Sequence, residues 1–202
     1  MRKFNLLITL LILFGTFLNL QSQNKFSNRK IDNLKNQAAQ LVENDKKMTQ
    51  VMIDKVFSFG ELGFQEFETS KYLSSILEKN GFDLEYEISN IPTSWLATWS
   101  NGNGGPIIAL GSDFDGVPST SQYPGVAYEK PVVEGAPGHG EGHNIGVPIV
   151  ITAALSVKKL MEENNINGTL ILWPGVAEEI LGSKAWYVRD GYFDDVDMCI
   201  FT

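Results

Sequence analysis

The sequence predicts an α/β fold, because buried strands and helices alternate along its second half. The apolar run at residues 107–110, and the one at 170–173 within the segment 168–173, are typical of strands covered on both faces. Between them, residues 147–164 repeat apolar side chains at helical spacing. Strand, loop, helix and strand in this order predict an α/β domain with its site at the carboxyl ends of the strands.

The first 22 residues have the pattern of a secretory signal peptide. Arg2 and Lys3 precede an apolar run from Leu6 to Leu18. A membrane anchor is the alternative, but the run is shorter than the roughly 20 residues that span a bilayer comfortably. We therefore expect an exported protein, periplasmic or secreted, with no stable membrane span after cleavage.

Two helices, one half-exposed strand and a further strand candidate are predicted before the first buried strand. Amphipathic spacing indicates helices at 28–59 and 66–80, the second ending at Gly81. Polar and apolar residues alternate at 82–88, and 94–99 is a second strand candidate.

The remaining segments surround a long loop. Residues 118–146 are rich in Gly and Pro, and a loop of this length inside a domain is usually functional. After the strand at 168–173 we expect a helix at 178–189 and a third buried strand at 196–201. Cys199, the chain's single cysteine, falls in that last run and is expected to be a small buried core residue.

The formal net charge of −8 argues against nucleic acid as a partner, since phosphate binding needs clustered Lys and Arg.

Both histidines of the chain, His139 and His143, lie in one glycine-spaced window around Glu141. Nitrogen and oxygen ligands of this kind suit zinc, and also manganese or cobalt. A structural loop is the alternative interpretation.

Acidic residues follow two of the buried strands. Glu178 and Glu179 come after the strand at 168–173, and neighbouring helical residues point about 100° apart. One carboxylate could therefore bind a metal while the other faces a reacting water. Glutamates that favour a helix dipole are the alternative. Asp113 and Asp115 follow the strand at 107–110 and are either supporting residues near the metal or a solvated loop start.

Four segments, in order, resemble motifs of the zinc-dependent amidohydrolase and exopeptidase family, which includes aminoacylases, auxin-conjugate hydrolases and p-aminobenzoyl-glutamate hydrolases. Residues 61–69 resemble the family's "ELGFxExxT", 111–118 its "xxDxDxxP", 138–144 its "GHxCGHN" and 177–179 its "AEE". Asn144 is closest to the aminobenzoyl-glutamate branch. Glu141 stands where many members have a cysteine ligand.

The resemblance implies a three-layer catalytic domain with a mostly parallel central sheet. It implies that Glu141, His143 and Glu179 bind metal, that Glu178 is the general base, and that His139 lies further out. The implied activity is hydrolysis of an amide bond in a small N-acyl amino acid, dipeptide or aminobenzoyl-glutamate-like substrate, by Glu-assisted attack of metal-bound water. Two ions, most simply zinc, would serve the complete protein.

The family also has a further histidine ligand, a lid and dimerisation domain, and a carboxyl-terminal part beyond the matched motifs. We therefore expect residues 23–202 to be the amino-terminal portion of a catalytic domain, truncated and inactive alone. A homodimer would form only with the missing domain. The rival hypothesis is a secreted, non-catalytic module that binds a metal or a peptide through the same loop.

Overall fold

The computed structural model describes residues 26–202, so the predicted signal peptide at 1–22 lies outside the described residues. The chain divides into two units, Met1–Asn36 and Gln37–Thr202. In the first unit the described residues are 26–36, where helix α1 begins. The second unit holds the sheet and the candidate site.

Helices and strands alternate much as the sequence predicts. In chain order they are α1 (Asn28–Phe59), α2 (Phe67–Lys79), β1 (Asp83–Tyr86), β2 (Trp95–Asn101), β3 (Ile107–Asp113), α3 (His143–Asn164), β4 (Gly168–Gly175), α4 (Lys184–Arg189) and β5 (Met198–Phe201). The α/β prediction is confirmed.

The five strands form one sheet in the order β1-β2-β4-β3-β5. Strand β3 pairs in parallel with both β4 and β5, whereas β2 is antiparallel to β1 and to β4. Four strands therefore run in one direction and β2 runs against them, so the sheet is mixed, with two parallel and two antiparallel pairings, and not mostly parallel as expected.

Helices cover both faces of this sheet. Neighbouring strand residues point to opposite faces, and at the end of β3 Ser112 faces Gly146 of α3 while Asp113 binds Lys184 of α4. Helices α3 and α4 therefore lie on opposite sides of β3. The core between the layers includes Trp95 and Leu172, both with 0% exposure.

Helix α3 is long and apolar enough, by length and composition alone, to cross a membrane. Within its most apolar window, 56% of the helix is buried inside the protein. Its contacts with β3 and β4 account for that apolar character.

Several predicted elements differ from the structure, and three of the differences concern the sheet and the turn after β4. The expected helix at 178–189 is a single 3-10 turn, Glu178–Ile180, followed by the short helix α4. The break occurs because Leu181 and Ser183 have positive φ angles of 58° and 51°, which no α-helix accommodates. The strand expected at 82–88 stops at Tyr86, since Glu87 adopts a left-handed conformation.

The third difference concerns β5, which was expected to be buried. All four of its residues are exposed, and β5 lies at the edge of the sheet, where among the described strands it pairs with β3 alone. Cys199 is exposed with it, so its assignment as a buried core residue is wrong.

Candidate metal centre

The candidate site forms where two parallel strands end together. Asp113 of β3 is in register with Gly175 of β4, so the segments after both strands leave the same edge of the sheet. Gly175 allows this approach, because a Cβ there would lie 1.8 Å from Asp113 Oδ1. Asp115 follows the first strand end, and the 3-10 turn at Glu178 follows the second.

The long loop after β3 folds back onto its own beginning. Val117 and Gly138 exchange two backbone hydrogen bonds of 2.8 and 3.1 Å, and the Thr120 hydroxyl donates to the Gly138 carbonyl. A Cβ at Gly138 would lie 2.5 Å from the Thr120 carbonyl oxygen. This closure carries the histidine segment to the strand ends.

Helix α3 begins at His143, four residues before its predicted start. Gly142 precedes it with φ of +111°, a conformation that L side chains rarely adopt. The loop expected to run to residue 146 therefore ends at Gly142. His143 gains a rigid helical position that a loop would not provide.

Four side chains converge at this edge of the sheet. Each offers one nitrogen or oxygen atom, these atoms all lie within 4.8 Å of one another, and the residues are Glu141, His143, Glu178 and Glu179. His143 Nε2 is 3.0 Å from Glu141 Oε2, and His143 Nδ1 is 3.9 Å from Glu179 Oε1. The 3.0 Å separation of His143 Nε2 from Glu141 Oε2 is comparable to that of two ligands bound to one zinc ion at about 2.0–2.2 Å.

Asp115 contacts two residues of this cluster, His143 and Glu179, and holds them in place. Its Oδ2 accepts the backbone N–H of Glu179 at 3.1 Å, and its carbonyl oxygen lies 3.1 Å from His143 Nδ1. Its Oδ1 is a further 3.3 Å contact to the same Nδ1. With Nδ1–H donated to Asp115, Nε2 is the ring nitrogen left for a metal. Asp115 is 1% exposed, so the supporting role fits it better than a solvated loop start.

Neighbouring charges and burial change the pKa values of two residues in the cluster, His143 and Glu179. Contact with the Asp115 carboxylate, aided by the charges of Asp113 and Glu141, raises the pKa of His143 to about 9 against the opposing effect of burial. Burial, followed by the neighbouring Glu141, raises the pKa of Glu179. The site therefore holds protons that an incoming cation would displace.

One buried oxygen of the cluster, Glu179 Oε1, has no hydrogen-bond partner. An unsatisfied buried acceptor costs about 1–3 kcal/mol, so such atoms normally have a ligand, a water or an ion beside them. Three carboxylates and one imidazole suit zinc, manganese or cobalt. The residues present therefore fit a divalent metal.

Asp113 lies beside the cluster and outside it. It accepts a 2.8 Å hydrogen bond from Lys184 Nζ, and burial raises its pKa to about 6 despite that cation. Lys184 was not identified from the sequence. It is 71 residues from Asp113 along the chain and belongs to no motif, so only the sheet geometry brings the two together.

His139 does not join the four-residue cluster. Its Nε2 lies 3.1 Å from the Val56 carbonyl, and its ring is 6.5 Å from that of Phe57. Burial lowers its pKa. His139 therefore anchors the loop to the end of α1.

Proteins of known activity are similar to this chain. It is 35% identical over 159 residues to a p-aminobenzoyl-glutamate hydrolase polypeptide of Escherichia coli, a match covering 79% of this chain and 33% of that protein. It is 32% identical over 139 residues to hippurate hydrolase of Campylobacter jejuni, covering 68% and 33%. The chain thus spans about a third of the length of these relatives. No family model matches it.

Solved structures share the fold. A putative aminohydrolase from methicillin-resistant Staphylococcus aureus superposes with a TM-score of 0.70 at 19% identity, over 82% of this chain and 41% of that one. The Bacillus subtilis YXEP protein, described as a dinuclear metal-binding peptidase of the M20 family, gives 0.64 at 22% identity, over 78% and 43%. These structures show the fold, and the sequence relatives show that the chain belongs to the amidohydrolase family that includes p-aminobenzoyl-glutamate hydrolase and hippurate hydrolase.

Proposed function

We propose that this chain carries the metal-binding and proton-transfer residues of an amide hydrolase. The observation that carries the proposal is the convergence of Glu141, His143, Glu178 and Glu179 within 4.8 Å at the strand ends. The relatives named above are hydrolases of p-aminobenzoyl-glutamate and hippurate, which supports a small N-acyl amino acid or related amide as the substrate class.

In this proposal Glu141, His143 and Glu179 hold the metal. Zinc suits their mixed nitrogen and oxygen donors, and a second ion would need donors beyond these three. A divalent cation there would polarise the amide carbonyl and make a nearby water more acidic. Asp115 keeps His143 in the tautomer whose Nε2 is free.

Glu178 is the proposed general base. It opens the 3-10 turn after β4 and belongs to the same cluster, so its carboxylate can act where the metal ligands converge. It would accept a proton from the attacking water and return that proton to the leaving nitrogen as the C–N bond breaks. Asp115 fixes the backbone of the adjacent Glu179, which limits how far this turn can move.

A pair of neighbouring substitutions tests this division of roles. We expect Glu179→Gln to weaken Co²⁺ binding about 10- to 100-fold and Glu178→Gln to leave it within a few-fold, measured by cobalt absorption titration. Glu163→Gln, at an exposed position on α3, is the matched control. Equal weakening by both substitutions would contradict the assignment of Glu178 as the base.

Hydrolysis is measured separately, with aminobenzoyl-glutamate and N-acyl amino acids, in the longest natural form of the protein. Glu178→Gln should abolish turnover while metal content stays the same. Metal binding without hydrolysis in the unsubstituted protein would favour a non-catalytic binding module.

We further propose that the protein is exported and that residues 1–22 are removed. The proposal rests on Arg2, Lys3 and the apolar run that follows them. Mass spectrometry of the protein recovered from the host's periplasm or medium tests it. An intact Met1 on the exported protein would contradict cleavage.

A further inference from the structure

The carboxylate of Glu66 is fully buried beside the turn that carries Glu178 and Glu179. Its Oε1 accepts the backbone N–H of Ala177 at 2.9 Å, and its Oε2 accepts the Thr93 hydroxyl at 2.8 Å. Burying a carboxyl group is costly unless its oxygens are hydrogen-bonded, and here both are. The contact to Ala177 joins residues 111 positions apart.

Glu66 does not perform the usual task of a residue at its position. It immediately precedes α2, where a side chain commonly caps the helix, yet it makes no capping hydrogen bond. Glu61 does so instead, accepting the backbone N–H groups of Glu68 and Thr69 at 2.9 and 2.8 Å. The Glu66 carboxylate is therefore committed to the turn after β4.

That turn needs an external constraint. Ala177 is fully buried with φ of 55° and ψ of 41°, a left-handed conformation that is unfavourable for a residue with a Cβ. Its carbonyl accepts the Gly182 N–H at 2.9 Å. Gly63 closes the remaining side, since a Cβ there would lie 2.9 Å from Ala177 Cα. A conformation held against its preference depends on such contacts.

We infer that Glu66 is a positioning residue, whose hydrogen bond to the Ala177 N–H holds the left-handed turn that delivers Glu178 and Glu179 to the metal cluster. Without that acceptor, the N–H of Ala177 would be buried with no partner. Return of Ala177 to a negative φ would redirect the two glutamates that follow. This inference rests on the proposed function for its consequence, while the contact itself stands independently of any metal.

The test compares three variants of the full chain. Glu66→Met keeps the side-chain length and removes both acceptors. Glu66→Gln keeps an oxygen for Ala177, and its NH₂ can donate to the Thr93 hydroxyl. Glu61→Met is the matched control, because it removes a carboxylate that also accepts backbone N–H groups at the start of α2.

Two measurements are made on each variant: hydrogen–deuterium exchange tests the positioning role of Glu66 without any metal, and Co²⁺ affinity tests its effect on metal binding. Hydrogen–deuterium exchange of the peptide covering residues 174–183, without metal, should be at least about tenfold faster in Glu66→Met and unchanged in Glu66→Gln and Glu61→Met. Co²⁺ affinity should fall about 10- to 100-fold in Glu66→Met alone, as expected when a group that orients a metal ligand is lost.

Unchanged exchange in Glu66→Met, or equal damage from Met and Gln, would overturn the positioning role. If Glu66→Met does not fold, Glu66→Asp replaces it, since the shorter acid withdraws its oxygens from Ala177 and should change both readouts in the same direction. Failure of the unsubstituted chain to bind Co²⁺ would refute the proposed function, and the exchange comparison would still decide the role of Glu66.

Discussion

Metal affinity should depend steeply on pH, because His143 must lose a proton before it can bind a metal. Its folded-state pKa is raised to about 9, above the ordinary value near 6.5. Throughout the neutral pH range a proton therefore competes with the metal ion for the imidazole of His143. Affinity should rise with pH and level off only as the pH approaches 9.

The size of the effect follows from the fraction of neutral imidazole. With a pKa of about 9 that fraction grows roughly 90-fold between pH 6 and pH 8, and apparent affinity grows with it. With the ordinary pKa near 6.5 the gain over the same interval would be only about fourfold. The two cases differ by more than a factor of ten, which a competition titration with a chelator of known affinity separates easily.

Asp115 is the largest cause of the raised pKa, so Asp115→Asn should reduce the pH dependence towards fourfold. Asp197→Asn is the matched control, because Asp197 Oδ2 also accepts a backbone N–H, that of Ile107 at 2.8 Å. Calorimetry in buffers of different ionisation enthalpy should show about one proton released per metal near pH 7. A dependence near fourfold in the unsubstituted protein, or no change in Asp115→Asn, would refute this reasoning.

Two further predictions concern the fold. Leu172→Ala, at a fully buried position of β4, should lower the free energy of unfolding by about 2–5 kcal/mol, whereas Leu181→Ala, at a position 93% exposed, should change it by less than about 0.5 kcal/mol. Urea denaturation measures both, and similar losses would contradict the placement of the core. Cys199 on the edge strand should react with iodoacetamide in the folded protein, and faster as the pH rises, because the thiolate is the nucleophile and desolvation raises the pKa of the thiol above its ordinary value. Protection until denaturant is added would contradict its exposure.

Local pattern was sufficient for most of the fold and for the choice of ligand candidates. The bounds of α1 are those predicted, since apolar spacing and the glycine at residue 60 depend only on neighbours in the chain. Neighbouring residues singled out the histidine window and the acidic pair, and the family resemblance implied Glu141, His143 and Glu179 as the ligands among them. Their assignment as ligands stays a prediction, although the structure brings them together.

Pairing and backbone strain could not be predicted locally. Strand β5 has the composition of a buried strand, and only the structure shows that it lies at the sheet edge and that Cys199 is exposed. The expected helix at 178–189 has helical spacing, and only the positive φ angles at Leu181 and Ser183 break it. The exposure of a strand and the backbone conformation of a turn depend on which elements pack beside them, and that packing involves residues from the whole core.

The sequence by itself therefore determined the α/β class, the histidine–glutamate window and the acidic pair after β4, because each is written in neighbouring residues. Only the tertiary structure decided which groups support them. Three of the supporting contacts join residues far apart in the chain. They connect Asp115 with His143, Asp113 with Lys184 and Glu66 with Ala177, which are 28, 71 and 111 positions apart. The physical reason is that a hydrogen bond depends on distance in space, and parallel strand ends bring together segments that the chain itself keeps far apart.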